Sequence, residues 1–235
     1  MVKVTFVSSD GTRREVEIAE GETAREAAHY EPMRKLFGPA LLRDTMALSI
    51  AMFSGMFMIY LMFNWAPTML TSTGFGLQTA SLGLTSFNMG GTIGAMIASL
   101  AIIRFGSRPV LILMAVVGAG VCTTLALLPI NGGRNEGAVL ACLGALGLFA
   151  SAAQSAMFAV GAHAFPTALR ARGLGLMGAA GRAGAIVSAI AGAILIGWSN
   201  LGFFGALAAL MLVNALGFIA VRGHIPRLGR KDMHI

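Results

Sequence analysis

From Met46 to Val221 the chain is one long apolar run, cut by short loops that hold its charges. Glu136 is the only acidic residue within it. A water-soluble core of that length needs a polar surface, and too few polar residues remain to supply one. A hydrocarbon core ~30 Å thick takes roughly 20 apolar residues per helix. Six such helices with their loops use about 175 residues, the length of the run. Backbone groups in lipid must be satisfied within each span, which favours helices over open strands. A β-barrel would alternate polar and apolar residues in short segments, and this run does not. The 31 glycines and 15 methionines suit helices that approach closely in lipid. The expected spans are 45–70, 79–103, 108–129, 137–163, 171–198 and 201–221. The fold expected is an all-α six-helix transmembrane bundle over 45–221, with a small soluble β-β-α segment before it.

That segment occupies residues 1–30. Val2, Val4 and Phe6 alternate with polar residues, as do Val16 and Ile18, and Asp10-Gly11 between them is a hairpin signal. Thr23 caps a short expected helix through Ala24, Ala27 and Ala28. So short a unit has little apolar area with which to fold alone. Residues 31–44 form a polar linker whose Arg34, Lys35 and Arg43 suit an anionic membrane surface, and 222–235 form a basic tail.

The net charge of +7 is a topology signal rather than a nucleic-acid footprint. Arg34, Lys35 and Arg43 precede the first span, and Arg104 and Arg108 lie between the second and third. Arg170 and Arg172 lie between the fourth and fifth, and Arg222, Arg227, Arg230 and Lys231 follow the sixth. All these places fall on one side, which the positive-inside rule makes cytoplasmic, with both termini. The opposite loops hold only Arg134 and Glu136. No basic patch is interleaved with aromatics, so no nucleic-acid partner is expected. The first residues are polar and alternate, unlike a signal peptide. Cys122 and Cys142 fall inside apolar spans without metal-ligand or redox spacing, and read as small buried hydrophobes. No catalytic set, phosphate loop or metal motif is present, so neither enzyme activity nor a cofactor is expected.

Arg182 is the outstanding polar position. It lies ten residues past Arg172, about 15 Å deeper along a helix. A cation at that depth is costly and usually lines a cavity. Its helical neighbours Gly175, Gly178, Ala179, Ala185 and Ala189 are small. A guanidinium there can hold a carboxylate through two parallel bonds. The alternative is an arginine hydrogen-bonded to carbonyls of a neighbouring helix. On the first span Phe53, Phe57, Tyr60 and Asn64 share a face that lines a cavity, faces lipid or packs in the core. Thr85, Asn88 and Thr92 share a face of the second span, and Ser151, Gln154 and Phe158 one of the fourth. Mid-span amides serve as interhelical glue as often as ligands. Arg182, Asn64, Tyr60, Gln154 and Asn88 are the candidate substrate contacts. Gly90-x-x-x-Gly94 and the Gly184, Ser188, Gly192 series read as close-packing seams inside the bundle. His163 sits near the inner end of the fourth span and reads as an interfacial histidine without a role. No carboxylate lies within a span, so the usual group for proton coupling is not in this stretch.

Two stretches resemble known families. Residues 2–28, VKVTFVSSDGTRREVEIAEGETAREAA, resemble the opening of an adrenodoxin-like [2Fe–2S] ferredoxin. That family places a cysteine-rich cluster loop next. Here His29-Tyr30-Glu31-Pro32 follows and the first cysteine is Cys122, so no cluster is expected and the segment reads as a fusion remnant. The larger resemblance spans about Leu36 to Val221. It rests on Asn64-Trp65-Ala66-Pro67-Thr68, Gly90-Gly91-Thr92-Ile93-Gly94-Ala95, Arg104-Phe105-Gly106-Ser107-Arg108 and Ala153-Gln154-Ser155-Ala156. Most specific is Phe165-Pro166-Thr167-Ala168-Leu169-Arg170-Ala171-Arg172-Gly173-Leu174-Gly175, continuing to Gly181-Arg182-Ala183-Gly184-Ala185-Ile186.

These runs resemble the C-terminal half of a major facilitator superfamily transporter, of the aromatic acid:H⁺ symporter branch. The resemblance implies helices seven to twelve of a two-half machine in the inner membrane, with a small organic anion held between the halves. It implies gating roles for the loops carrying Arg104, Arg108, Arg170 and Arg172. Ile103 stands where the family has an acidic residue, which weakens any charge relay at that loop. The family's acidic motif tied to proton coupling belongs to the other half, so a complementary half or a second copy would complete the machine. The alternative expectation is a fragment that inserts in the bilayer without transporting.

Overall fold

The computed structural model describes residues 2–7, 13–18, 35–130, 134–197 and 199–227. Strands β1 (Val2–Val7) and β2 (Arg13–Ile18) pair antiparallel, with Val2 opposite Ile18 and Val4 opposite Val16. The Asp10-Gly11 turn and the helix expected at 23–28 lie outside the described residues.

Six helices follow: α1 (Leu42–Ser72), α2 (Leu77–Phe105), α3 (Ser107–Leu127), α4 (Glu136–Ala164), α5 (Arg170–Ile196) and α6 (Asn200–Ala220). Each is long and apolar enough to cross a membrane. α1, α2 and α4 run past their expected spans at both ends. The 31 residues of α1 reach about 46 Å, against a hydrocarbon core of ~30 Å. An apolar run marks only the part of a helix at lipid depth, while the helix continues into the interface.

The turns have local causes. α1 ends in a Schellman motif: Gly74 takes φ 99°, its N–H reaches Thr71 O, and the Phe75 N–H reaches Leu70 O at 3.1 Å. Leu70 and Phe75 are both buried, the apolar contact that accompanies this cap. Between α2 and α3 the whole connection is Gly106, at φ 84°. At the far end of α3, the Asn200 amide donates to the carbonyls of Leu125, Ala126 and Leu128. It thereby satisfies a helix end that has run out of intrahelical partners.

Packing follows small residues. α2 lies mainly on α4, α5 on α1, and α3 on α6. A Cβ on Gly90 would overlap the Gly144 carbonyl, and one on Gly147 would overlap the Phe87 carbonyl. On the matching crossing, a Cβ on Gly184 would overlap the Phe53 carbonyl, and one on Gly192 the Trp65 ring. Glycine inside a helix costs ~0.5–1 kcal/mol relative to alanine. In lipid that cost is offset by backbone-to-backbone approach. The two seams read from the sequence therefore lie inside one bundle.

Candidate functional site

α2 and α5 are the least covered helices of the bundle, and the polar side chains at mid-helix divide between its surface and its core. Arg182 is near the middle of α5. Its neighbour Gly181 faces inward against Met52 and Met56 of α1, so Arg182 points outward and is exposed. Its guanidinium has no hydrogen-bond or carboxylate partner among the described residues. It extends toward Gly178, where a Cβ would stand 3.9 Å from Nη1.

Tyr60, one turn beyond Met56, is 43% exposed, and Asn64 one turn further is exposed. The Tyr60 ring meets Phe63 edge-on at 6.4 Å between centroids, and Phe63 meets Phe87 of α2 at 5.9 Å. Asn88, next to Phe87, is exposed and donates to Leu84 O of its own helix. Thr85 and Thr92 bond back to carbonyls four residues earlier in the same way. Tyr60, Asn64, Asn88 and Arg182 thus leave polar atoms open on the outer surface of α1, α2 and α5. Lipid tails cannot satisfy such atoms. A purely apolar crease of 540 Å³ lies elsewhere, between α5 and α6, and none of these residues lines it.

Gln154 does not join this group. It is 6% exposed and points inward, its Nε2 against the Met52 sulfur at 2.7 Å. Nearby Asn214 of α6, 3% exposed, donates to Ala51 O at 3.2 Å. Sequence reasoning passed over Asn214, although an amide inside the apolar run of α6 was a usable signal.

The basic loops gather at the end of the bundle where α1 begins. Arg104 and Arg108 are exposed and flank Gly106, with Arg104 stacked over Phe105 at 5.8 Å. Arg108 lies in the first turn of α3, and Arg170 and Arg172 in the first turn of α5. A cation at a helix N-terminus opposes the helix dipole, so local helix stability is not what places them there.

At the same end, residues 221–227 turn back as a strap, a feature the sequence reading missed. Arg43 Nε donates to Ala220 O, and the buried Asp44 carboxylate accepts the Arg222 N–H, each at 2.8 Å. Ile225 donates its N–H to Ser107 Oγ at 2.9 Å and accepts the Ser107 N–H at 3.0 Å. His224 Nε2 lies 2.9 Å from the Phe218 carbonyl, so it carries the proton, and Nδ1 accepts from Ser107 Oγ at 3.1 Å. Burial lowers the His224 pKa below the usual histidine range. The Phe218 carbonyl opposes that shift, the Arg108 charge adds to it, and Asp44 opposes it. Gly106 gives the strap room: a Cβ there would stand 3.2 Å from Ile225 O and 3.3 Å from the Arg227 nitrogen.

A family model described as Major Facilitator Superfamily matches residues 22–232. The 4-hydroxybenzoate transporter of Acinetobacter baylyi is 30% identical over 186 residues, covering 79% of this chain and 40% of that protein. The gallate transporter of Pseudomonas putida is 30% identical over 197 residues, 83% of this chain and 43% of that protein. The 3-(3-hydroxy-phenyl)propionate transporter of Escherichia coli is 28% identical over 207 residues, 87% and 50% respectively. The chain thus spans 40% to 50% of the length of these three curated relatives.

Proposed function

The chain belongs to the major facilitator superfamily, and from that premise we propose that it acts as a six-helix half of a transporter for small aromatic carboxylates. The observation that carries the proposal is the unpaired Arg182 guanidinium at mid-helix, on a small-residue stretch of α5. A desolvated guanidinium binds a carboxylate through two charge-assisted bonds. Tyr60 offers an aromatic face for a ring, and Asn64 and Asn88 offer donors and acceptors for ring hydroxyls. The names of the relatives, which refer to hydroxylated aromatic acids, support that substrate class. The reading assigns no reaction chemistry to the chain, in keeping with relatives that are transporters.

In this reading a complementary six-helix half covers the open faces of α1, α2 and α5 and supplies the carboxylate for proton coupling. The substrate lies between the halves, which rock about it. The loops carrying Arg104, Arg108, Arg170 and Arg172 close the inner side. The basic ends of the bundle support an inner-membrane orientation with both termini cytoplasmic. Strands β1 and β2 belong to a small soluble leader without a cofactor.

The test is uptake of labelled 4-hydroxybenzoate by lipid vesicles. One set contains this chain alone, and the other contains it with the N-terminal half of one of its relatives. Uptake driven by an inward proton gradient is expected in the second set. Failure of every such pairing, with both halves inserted and folded, contradicts the proposal and favours a non-transporting fragment. Cysteine labelling adds an independent check on orientation: position 132 is expected to react from outside and position 228 from inside.

A further inference from the structure

The apolar core is divided at its middle. One cluster of buried residues includes Met58, Leu61 and Met211, and the other includes Met52, Leu48 and Ala215. Between them lies a polar layer made by Ser54 and Gly55 of α1, Gln154 of α4 and Asn214 of α6. Gly55 is what admits it: a Cβ there would overlap Gln154 Oε1 and stand 2.8 Å from Asn214 Nδ2. Each donor atom of the layer has one partner. Ser54 Oγ and Asn214 Nδ2 both donate to Ala51 O, and Gln154 Nε2 meets the Met52 sulfur.

Its acceptors are not in use. Gln154 Oε1 and Asn214 Oδ1 are fully buried and have no donor. Exchanging oxygen and nitrogen in either amide does not remove the problem. A turned Gln154 would set its oxygen against the Met52 sulfur, and a turned Asn214 would set its oxygen against Ala51 O. Buried amide oxygens are rarely left unpaired, and at membrane depth bulk water does not reach them. The missing partner must therefore be small, resident and a donor. The layer holds no carboxylate, so nothing there would offset the desolvation of a metal cation. Water is neutral and small, and its O–H groups are donors that an orphan amide oxygen accepts.

We propose that water is bound at this α1–α4–α6 crossing and donates to Gln154 Oε1 and Asn214 Oδ1. The water makes Gln154 part of a hydrated joint at the centre of the bundle, apart from the outward face that carries Arg182. Water-mediated contacts hold nearly as well as direct ones, and this one adds to the contacts by which Asn214 and Gln154 already join α6 and α4 to α1.

The experiment is pulsed X-ray radiolysis of the full chain in lipid nanodiscs. Radicals born from a resident water oxidise the side chains beside it. Met52, 0% exposed, is expected to be oxidised several-fold faster than Met69 and Met177, which are similarly buried at 3% and 0%. The excess is expected to disappear in Gln154→Leu and Asn214→Leu, and to be the same in sodium and choline buffers. Equal oxidation of the three methionines in the unmodified chain overturns the proposal, as does protection of the bundle by sodium specifically. Stability gives a second readout. Dry, unpaired oxygens would make each leucine variant melt higher and the double variant additive, which also overturns it. A bound water predicts no gain from either single change and a non-additive pair.

Discussion

A methyl group added at Gly94 tests the α2–α4 packing that carries Asn88 and Gln154. On the α2–α4 crossing, an alanine Cβ at Gly94 would overlap the Leu148 carbonyl oxygen and stand 2.7 and 2.8 Å from Leu148 C and Cα. Carbon atoms pack best at about 3.5–4.0 Å, so one helix must retreat by about 1 Å. The obstacle is backbone, which has no rotamer to change. Such overpacking costs ~1–3 kcal/mol, against a helix-propensity gain of ~0.5–1 kcal/mol for replacing glycine. The net expectation for Gly94→Ala is a loss of about 1–2 kcal/mol, a five- to thirtyfold fall in the folded ratio. The control is Gly120→Ala on the exposed side of α3, where a Cβ meets nothing within 4 Å. That change keeps the propensity gain and stabilises by ~0.5–1 kcal/mol. Both are measured by denaturant unfolding in the same detergent. Gly94→Ala as stable as Gly120→Ala would refute the claim that the seam is a backbone contact.

The strap offers further tests. Asp44→Ala leaves the Arg222 N–H without its charged acceptor and is expected to cost ~1.5–3 kcal/mol, read as faster tryptic cleavage within 222–227. For His224 the folded pKa lies below the usual value of ~6.5. As pH falls the unfolded strap therefore takes up its proton first. Strap protection should be constant above about pH 6.5, fall as pH drops below it, and level off once the folded form is also protonated. Hydrogen exchange at the Ile225 amide measures this, and His224→Ala should flatten the profile around a weaker baseline.

How much of this was legible in the chain varies by element. The six helices were, because a long apolar run cut only by short charged loops leaves few alternatives. The division between Gln154 and Asn88 was not. Both are amides near mid-helix, and in a membrane helix every face is apolar, so periodicity does not say which face is inside. Crossing glycines decided it: Gly55 opposite Gln154 makes room for a buried amide, while Phe87 takes the inward place beside Asn88. The strap was illegible for another reason. Asp44, Ser107 and His224 lie far apart in sequence and meet only because α1, α3 and α6 share one end. Asn200, which caps α3 from α6, belongs to the same class of long-range contact.

The account turns on Arg182 as the carboxylate-binding group, and one measurement addresses it directly. Uptake of 4-hydroxybenzoate is compared for the unmodified chain, Arg182→Lys and Arg182→Ala, each paired with the same complementary half and each inserted to the same level. A guanidinium that grips a carboxylate through two bonds predicts loss of uptake in Arg182→Ala and only partial retention in Arg182→Lys, because an ammonium cannot reproduce the fork. Uptake by Arg182→Ala at the unmodified rate would contradict the account.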